Sequence, residues 1–436
     1  MRTRTTGGGR LVTDSPVAAQ RMADIAPFQV MALLARAKTL EAAGRSIIHM
    51  EVGEPDFSTA APIVAAGQRA LAEGRTRYTA AAGLPELRQA ISGHYREQYG
   101  VEVPARRVLV TPGASGALQL ATAVLIDPGD RVLLADPGYP CNRHFVRLVE
   151  GEAVGIPVGP ETGYQLNAAL VEQHWDERTV AVLLASPANP TGTVIAPGEL
   201  AAIVAAVEAR GGWVIMDEIY HGLTYGAPVQ TALAYSERVL VVNSFSKYYG
   251  MTGWRLGWLV APDGLAGAAE KLAQNLFLAA STPAQYAALA AFEPEARAIF
   301  EERRREFQAR RDFLLPALRE LGFEIPVTPD GAFYLYAACD RFTDDSYEFA
   351  QRLLEETGVA ITPGVDFGHH LPRRHVRFAY TNAIPQLAEG VERLRQASRL
   401  DAAPSPRHST DPASGGHRTP SPGNAARACQ NLSKTV

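Results

Sequence analysis

The sequence predicts an α/β protein: a large domain built on a mostly parallel sheet covered by helices on both faces, with a smaller α/β domain beside it. Three observations carry that expectation. Seven short apolar runs between residues 108 and 261 alternate with helical patterns, the pattern of a sheet buried on both sides. A second, shorter alternation begins near Phe333. The length, 436 residues, is more than one small core accommodates.

Taken in order, residues 1–14 are rich in Thr, Arg and Gly and are expected to be disordered. Segment 15–52 carries a helical pattern from Pro16 to about Gly44, with Phe28, Met31, Leu34 and Leu40 among alanines. A short strand at 47–52 follows, broken by Gly53-Glu-Pro-Asp56, and the whole segment is expected to join the smaller domain. The large domain, 53–296, opens with helices at 63–72 and 84–99; the second repeats Leu84, Leu87, Ile91 and Tyr95 at helical spacing. A small-residue loop between them presents Tyr78.

Strands are predicted at 108–111, 131–135, 153–158, 180–185, 213–217, 239–243 and 256–261, with helices at 115–125, 142–150, 166–173 and 198–210. Crossovers between parallel strands are right-handed almost without exception, and ligands collect at the carboxyl ends of such strands. A long helical region runs from Thr282 toward Leu321 with a break at Pro294. The small domain, 297–400, is read as a strand near 333–337, a helix at 346–356, strands at 359–361 and 376–379, and a helix at 385–398. Residues 401–436 hold almost no large apolar side chains and are expected to be disordered, because nothing offsets the entropy of ordering them.

Composition excludes several classes. Charge is mixed along the chain and sums to −4, so no nucleic-acid footprint is present. Three distant cysteines, Cys141, Cys339 and Cys429, form neither a disulfide framework nor a zinc motif. No apolar run is long enough to cross a bilayer, and no signal-peptide core follows the basic N-terminus. The cytoplasm is the expected compartment, with no membrane and no metal.

The unusual residues cluster just after predicted strands. Thr111-Pro-Gly-Ala-Ser-Gly116 joins a strand to a helix, where free N–H groups and the helix dipole favour an anion. It is neither a dinucleotide fingerprint nor a nucleoside-triphosphate loop. Asp136-Pro-Gly-Tyr-Pro140 offers an aromatic face. Ser186-Pro-Ala-Asn-Pro-Thr-Gly192 holds Asn189 in a turn fixed by prolines. Trp213-Val-Ile-Met-Asp-Glu-Ile-Tyr220 ends an apolar strand on Asp217, a desolvated acid that needs a cationic partner. Asn243-Ser-Phe-Ser-Lys-Tyr-Tyr-Gly-Met-Thr-Gly-Trp-Arg-Leu-Gly257 sets Lys247 between two apolar runs, with Arg255 in a glycine frame. Singly, each has an ordinary structural explanation. Jointly they supply a lysine, a buried acid, an aromatic plate and an anion cradle, which are the requirements of pyridoxal phosphate.

On Ser-x-Ser-Lys247 followed by Gly-Trp-Arg255-Leu-Gly, with Asn189-Pro-Thr-Gly and Asp217-Glu-x-Tyr220, the chain resembles the class I/II aminotransferases of the fold-type I pyridoxal-phosphate superfamily over about residues 20–400. The resemblance implies that Lys247 forms the internal aldimine and moves the substrate proton, and that Asp217 pairs with the ring nitrogen. Tyr220 and Asn189 would bond the ring's phenolate oxygen, and Tyr139 would stack on the ring. Ala114, Ser115, Ser244 and Arg255 would hold the phosphate, with Tyr78 reaching the neighbouring subunit's site in a homodimer. Arg377, in His375-Val-Arg-Phe-Ala379, and Gly53 would bind the substrate α-carboxylate, with Asn189 also at the substrate.

Ser115 stands where some aspartate-using members carry a lysine, so a neutral or aromatic L-amino acid is the expected donor to a 2-oxo acid, in a ping-pong transamination. A C–S β-lyase on the same scaffold is the alternative reaction. A sensor domain attached to a DNA-binding module is disfavoured, because too few residues precede Pro16 for a helix-turn-helix.

Overall fold

The apolar runs become strands whose successive residues enter two different cores. Val182 and Leu184, Val214 and Met216, Val241, Trp258 and Val260 pack into one cluster. Their alternates Ala181 and Leu183, Ile215, Leu240 and Val242, and Leu259 pack into another. A period of two with both sets apolar is the signature of a sheet sandwiched between helical layers.

The computed structural model describes residues 18–226 and 229–400, with side chains through 397; the expectations for residues 1–14 and 401–436 lie outside the described residues. In chain order the described strands are β1 Ile48–His49, β2 Val108–Thr111, β3 Arg131–Asp136, β4 Glu152–Pro157, β5 Thr179–Ala185, β6 Trp213–Asp217, β7 Leu240–Ser244, β8 Gly257–Val260, β9 Tyr334–Ala338, β10 Val359–Ala360, β11 Thr362–Pro363 and β12 His375–Ala379. The large sheet runs β2-β8-β7-β6-β5-β3-β4. All its pairings are parallel except those of β8, which is antiparallel to both β2 and β7.

That reversal has a geometric consequence. Because β8 runs against its neighbours, its amino end lies at the edge where β2, β3, β5, β6 and β7 finish. The chain also turns back between β3 and β5, since β4 lies outside β3 while β6 and β7 lie outside β5. This is a topological switch point, where crevices open at the carboxyl edge.

A third cluster gathers Leu33, Ala37 and Leu40 of the helix Gln29–Ala42 with Ile48 and Met50, and joins them to residues such as Leu314, Phe333, Leu353, Phe378 and Leu394. The parallel pairing of β1 with β10 and the antiparallel sheet β11-β12-β9 belong to the same region. Local signals explain many of the boundaries. Prolines open the helices Pro85–Tyr99, Pro197–Glu208 and Pro294–Leu321, where a missing N–H costs nothing. Left-handed glycines close three helices at Gly100, Gly322 and Gly358.

Three local expectations are corrected. The first long helix begins at Gln29 rather than near Pro16, with only a short 3₁₀ turn, Gln20–Ala23, before it. The strand expected over 47–52 has only two residues, because beyond His49 the backbone bonds pass to other parts of the chain: Met50 N donates to Ala360 O at 2.9 Å, and Met50 O accepts from Ala379 N at 2.7 Å. A helix not anticipated, Asp263–Leu276, covers the second core with Ala266, Ala269 and Ala273. Its buried stripe is alanine, which carries little contrast in hydrophobicity.

The start of β8 is held unusually close to the helix Gly113–Leu125. A Cβ placed on Gly257 would fall 2.7 Å from Asn243 O, 2.7 Å from Gly113 C and 2.8 Å from Ala114 N. All three are backbone atoms of neighbouring elements, so no side-chain rotation relieves the clash. Gly257→Ala is therefore expected to lower unfolding stability by about 1–3 kcal/mol, read from denaturant midpoints. An unchanged midpoint would show that the helix start can withdraw from the sheet without cost.

Candidate active site

At the shared edge of the strands lies a cavity of about 390 Å³. Of the twelve positions singled out in the sequence, eleven line it: Gly53, Ala114, Ser115, Tyr139, Asn189, Asp217, Tyr220, Ser244, Lys247, Arg255 and Arg377. Topology explains the convergence. Ala114 and Ser115 follow β2, Tyr139 follows β3, Asn189 follows β5, Asp217 ends β6 and Lys247 follows β7. Arg255 precedes the antiparallel β8 and so reaches the same edge. Tyr139 and Asn189 flank the switch point between β3 and β5. Tyr78, the twelfth, is 82% exposed and stands apart.

Asp217 is buried at the end of an apolar strand. Its Oδ1 accepts one backbone N–H, from Ile219 at 3.0 Å. Burial pushes its carboxyl up to about 6; the Ile219 bond and the charge of Lys247 only partly oppose this. Lys247 donates from Nζ to Gly53 O at 2.7 Å. Burial holds its ammonium down to about 8, with Glu54 pulling upward and Arg377 and Arg255 pushing further down.

The helix Gly113–Leu125 points its first N–H groups at the cavity's rim, where intrahelical partners are lacking. Beside it, Ser244 donates from Oγ to Leu256 O at 3.0 Å and receives the Ser246 N–H at 3.0 Å. Arg255 sits in the left-handed region, φ 52°, where a non-glycine residue is uncommon. Its guanidinium bonds Thr252 O at 3.1 Å. Helix terminus, hydroxyl and guanidinium together form an anion cradle.

Arg377 is buried and gathered from three directions. It donates to Asn189 Oδ1 at 2.8 Å, to Glu51 O, and to Thr362 Oγ1 at 3.1 Å. Its guanidinium carbon lies 4.3 Å from the centre of the Tyr334 ring and 5.0 Å from that of Phe367. Its Nε is buried without a partner.

The sequence did not point to Tyr334. Its hydroxyl pairs with that of Tyr220 at 2.8 Å, and a Cβ on Gly53 would fall 1.8 Å from it. Glycine at position 53 is thus the condition for this tyrosine to stand where it does. The available signal was the alternation Tyr334-Leu-Tyr336, two tyrosines on one strand face; registry then sets Tyr336 opposite Arg377. The mouth residues Phe28, Val30 and Met31 and the acids Glu51 and Glu54 also line the cavity. All but Glu54, which lies in the Gly53-Glu-Pro-Asp56 break, fall in the 15–52 segment, where no motif marks them.

The chain belongs to the aminotransferases of class I and II, whose family model matches residues 45–394. A valine–pyruvate aminotransferase of Mycobacterium tuberculosis is 40% identical over 85% of this chain and 96% of its own length. A (5-formylfuran-3-yl)methyl phosphate transaminase of Methanocaldococcus jannaschii is 37% identical over 86% and 98%. Among solved structures, an aminotransferase from Mycobacterium tuberculosis aligns with a TM-score of 0.85 at 39% identity, over 88% of this chain and all of its own. The aspartate aminotransferase of Thermus thermophilus with maleate aligns at 0.83 and 32% identity, with the same coverage.

Enzymes of this family depend on pyridoxal phosphate, and so does this aminotransferase. The site fits the cofactor on its own terms: a buried acid short of a counter-charge, an anion cradle at a helix start, and an aromatic side chain, Tyr139, on the cavity wall. Among the described residues no helix is long and apolar enough to cross a membrane, and no group of side chains could hold a metal ion.

Without cofactor, Asp217 is a burden on the fold. Its folded pKa is raised from 3.8 to about 6, so the unfolded chain gives up the proton first as pH rises. Stability therefore falls between those values, and the full penalty stands above them. In the apoprotein, Asp217→Asn should raise stability by about 2–3 kcal/mol at pH 7 and by almost nothing below about pH 4. Denaturant unfolding at the two pH values checks this; a pH-independent effect would place the carboxylate outside a desolvated site.

Proposed function

We propose that this enzyme transfers the amino group of a neutral or aromatic L-amino acid to a 2-oxo acid, both substrates using the Arg377 site in turn. The single observation that carries the donor preference is the charge of the cavity wall. Its cationic side chains are Lys247, Arg255 and Arg377, against the acids Glu51, Glu54 and Asp217. With Arg377 given to the α-carboxylate and Arg255 to the phosphate, no cation remains for a second carboxylate, and Ser115 offers none. Phe28, Val30, Met31 and Leu118 give the wall an apolar side. The relative named for valine and pyruvate is consistent with this reading.

Pyridoxal phosphate supplies a protonated ring that withdraws electrons from the substrate Cα as its C–H bond breaks. Asp217, as a carboxylate, holds the ring nitrogen's proton in place. Tyr220 donates its hydroxyl toward the ring oxygen, and the Tyr334 hydroxyl fixes its direction. Asn189 has its carbonyl committed to Arg377, so its amide N–H groups would be the donors offered to the same oxygen and to the substrate. Tyr139 packs the ring's face. Ala114 and Ser115 N–H, Ser244 and Arg255 hold the phosphate.

Lys247 would hold the cofactor covalently, and its Nζ, when free, would take the substrate's Cα proton. A base must be neutral to do so, and burial has already lowered its affinity for a proton. Arg377 would bind the α-carboxylate through its guanidinium, with Gly53 beside it on the cavity wall. Tyr78 is proposed to complete the phosphate site of a second copy in a cytoplasmic homodimer, which accounts for a tyrosine so exposed.

Donors should separate accordingly. In single turnover without acceptor, leucine, valine or phenylalanine should release its 2-oxo acid at least about tenfold more efficiently than aspartate; the reverse order would overturn the preference. Arg377→Ala should raise KM for every amino acid about a hundredfold while leaving cofactor affinity nearly unchanged. Lys247→Ala should retain no cofactor after borohydride treatment and denaturation. Parallel loss of cofactor in the arginine variant would mean that Arg377 holds the wrong partner.

A further inference from the structure

The helix Gln29–Ala42 has Phe28 at its N-cap and no side-chain cap of its own. Its first N–H groups are taken up by a carboxylate far along the chain. Gln29 N donates to Asp366 Oδ1 at 2.8 Å and Val30 N donates to Asp366 Oδ2 at 2.9 Å. Asp366 is only 3% exposed, and these charge-assisted bonds, the Val30 one buried and the Gln29 one partly so, are made at the positive end of the helix dipole.

Both ends of this contact touch the cavity. Phe28, Val30 and Met31 line its mouth. Asp366 is followed by Phe367, whose ring lies against the Arg377 guanidinium. The same short segment is fastened to the end of β3: Arg143 Nη2 donates to Asp366 O at 2.9 Å, Gly138 N to Phe367 O at 2.8 Å, and His369 N to Asp136 Oδ2 at 2.8 Å. Asp366 thus sits on a crossbar that spans the arginine, the Tyr139 loop and the apolar wall.

We propose that Asp366 is a positioning residue for substrate specificity: it fixes the distance between the Arg377 carboxylate site and the apolar wall formed by Phe28, Val30 and Met31. This rests on the reading of Arg377 as the α-carboxylate site. The selectivity is geometric. A donor held at Arg377 senses the wall only if its side chain is long enough to meet it. The methyl group of alanine is too short to meet that wall, whereas the side chains of leucine and phenylalanine extend toward it. Loss of the carboxylate strands one buried and one partly buried N–H group and releases the wall from its register.

The test uses holoenzyme carrying Asp366→Ala or Asp366→Asn, with leucine, phenylalanine and alanine as donors and cofactor affinity measured alongside. For the alanine variant, kcat/KM with leucine and phenylalanine should fall about tenfold or more while that with alanine donor changes less than about twofold, and cofactor binding should be unchanged. Asp366→Asn should fall between, since its amide oxygen still accepts from one N–H; it carries the test if the alanine variant does not fold. Met31→Ala should show the same donor dependence, and adding it to Asp366→Asn should cost less than the two effects combined.

Equal loss with all three donors, or no loss with any, overturns the proposal. A wild-type enzyme that processes no apolar donor overturns the functional reading and this inference with it. A wild-type enzyme that processes them, with variants that lose all donors alike, overturns this inference alone.

Discussion

The arrangement depends on one costly placement: a carboxylate, Asp217, buried at the end of a strand whose preceding residues are all apolar. A desolvated anion is tolerated only beside a positive charge or several donors. The chain supplies Asp217 with one backbone N–H and a lysine acting through space. On the proposed reading, the missing charge would come from a protonated ring nitrogen. The same burial that raises the acid's pKa lowers that of Lys247, so one desolvated volume moves an acid and a lysine toward neutrality from opposite sides. Neither group needs a specialised neighbour; exclusion of water acts on both, in opposite directions.

Sheet topology concentrates the remaining parts. Five parallel strands would bring Ser115, Tyr139, Asn189, Asp217 and Lys247 to one edge in any order. The reversed β8 is what adds Arg255, because it makes a strand start, rather than a strand end, face the site. Close backbone contact at Gly257 then holds the helix start next to that arginine. The shape of this corner is a property of registry among three backbones, and the arginine adds charge to it.

Much of this was legible in the sequence, for identifiable reasons. Strands such as Trp213–Asp217 declared themselves through unbroken apolar runs ending in a polar residue, and the site motifs lie at strand ends because that is where a side chain can be both fixed and exposed to a cavity. The orientation of β8 was not legible, since an apolar run has no direction. Helix Asp263–Leu276 was hidden by its alanines. Tyr334, Glu54, Met31 and Asp366 were hidden because their importance arises from contacts across long sequence separations, and nothing local distinguishes Asp366 from an acid in an exposed turn.

Arg377 shows how those long separations become one device. Its guanidinium bonds the turn after β5 through Asn189, the N-terminal segment through Glu51 O and the strand β11 through Thr362, and Thr362 donates in turn to Glu51 O at 2.8 Å. Two aromatic rings press on its faces. Every nitrogen but Nε is thereby committed, and a planar group with its neighbours fixed cannot rotate to meet a carboxylate elsewhere. The orientation of this guanidinium is therefore set by contacts that draw on the N-terminal segment, the large sheet and the C-terminal sheet together. Asp366, remote in sequence, fastens the same N-terminal segment through Gln29 N and Val30 N, so the surroundings of Arg377 and the start of that helix are held by one connected set of contacts.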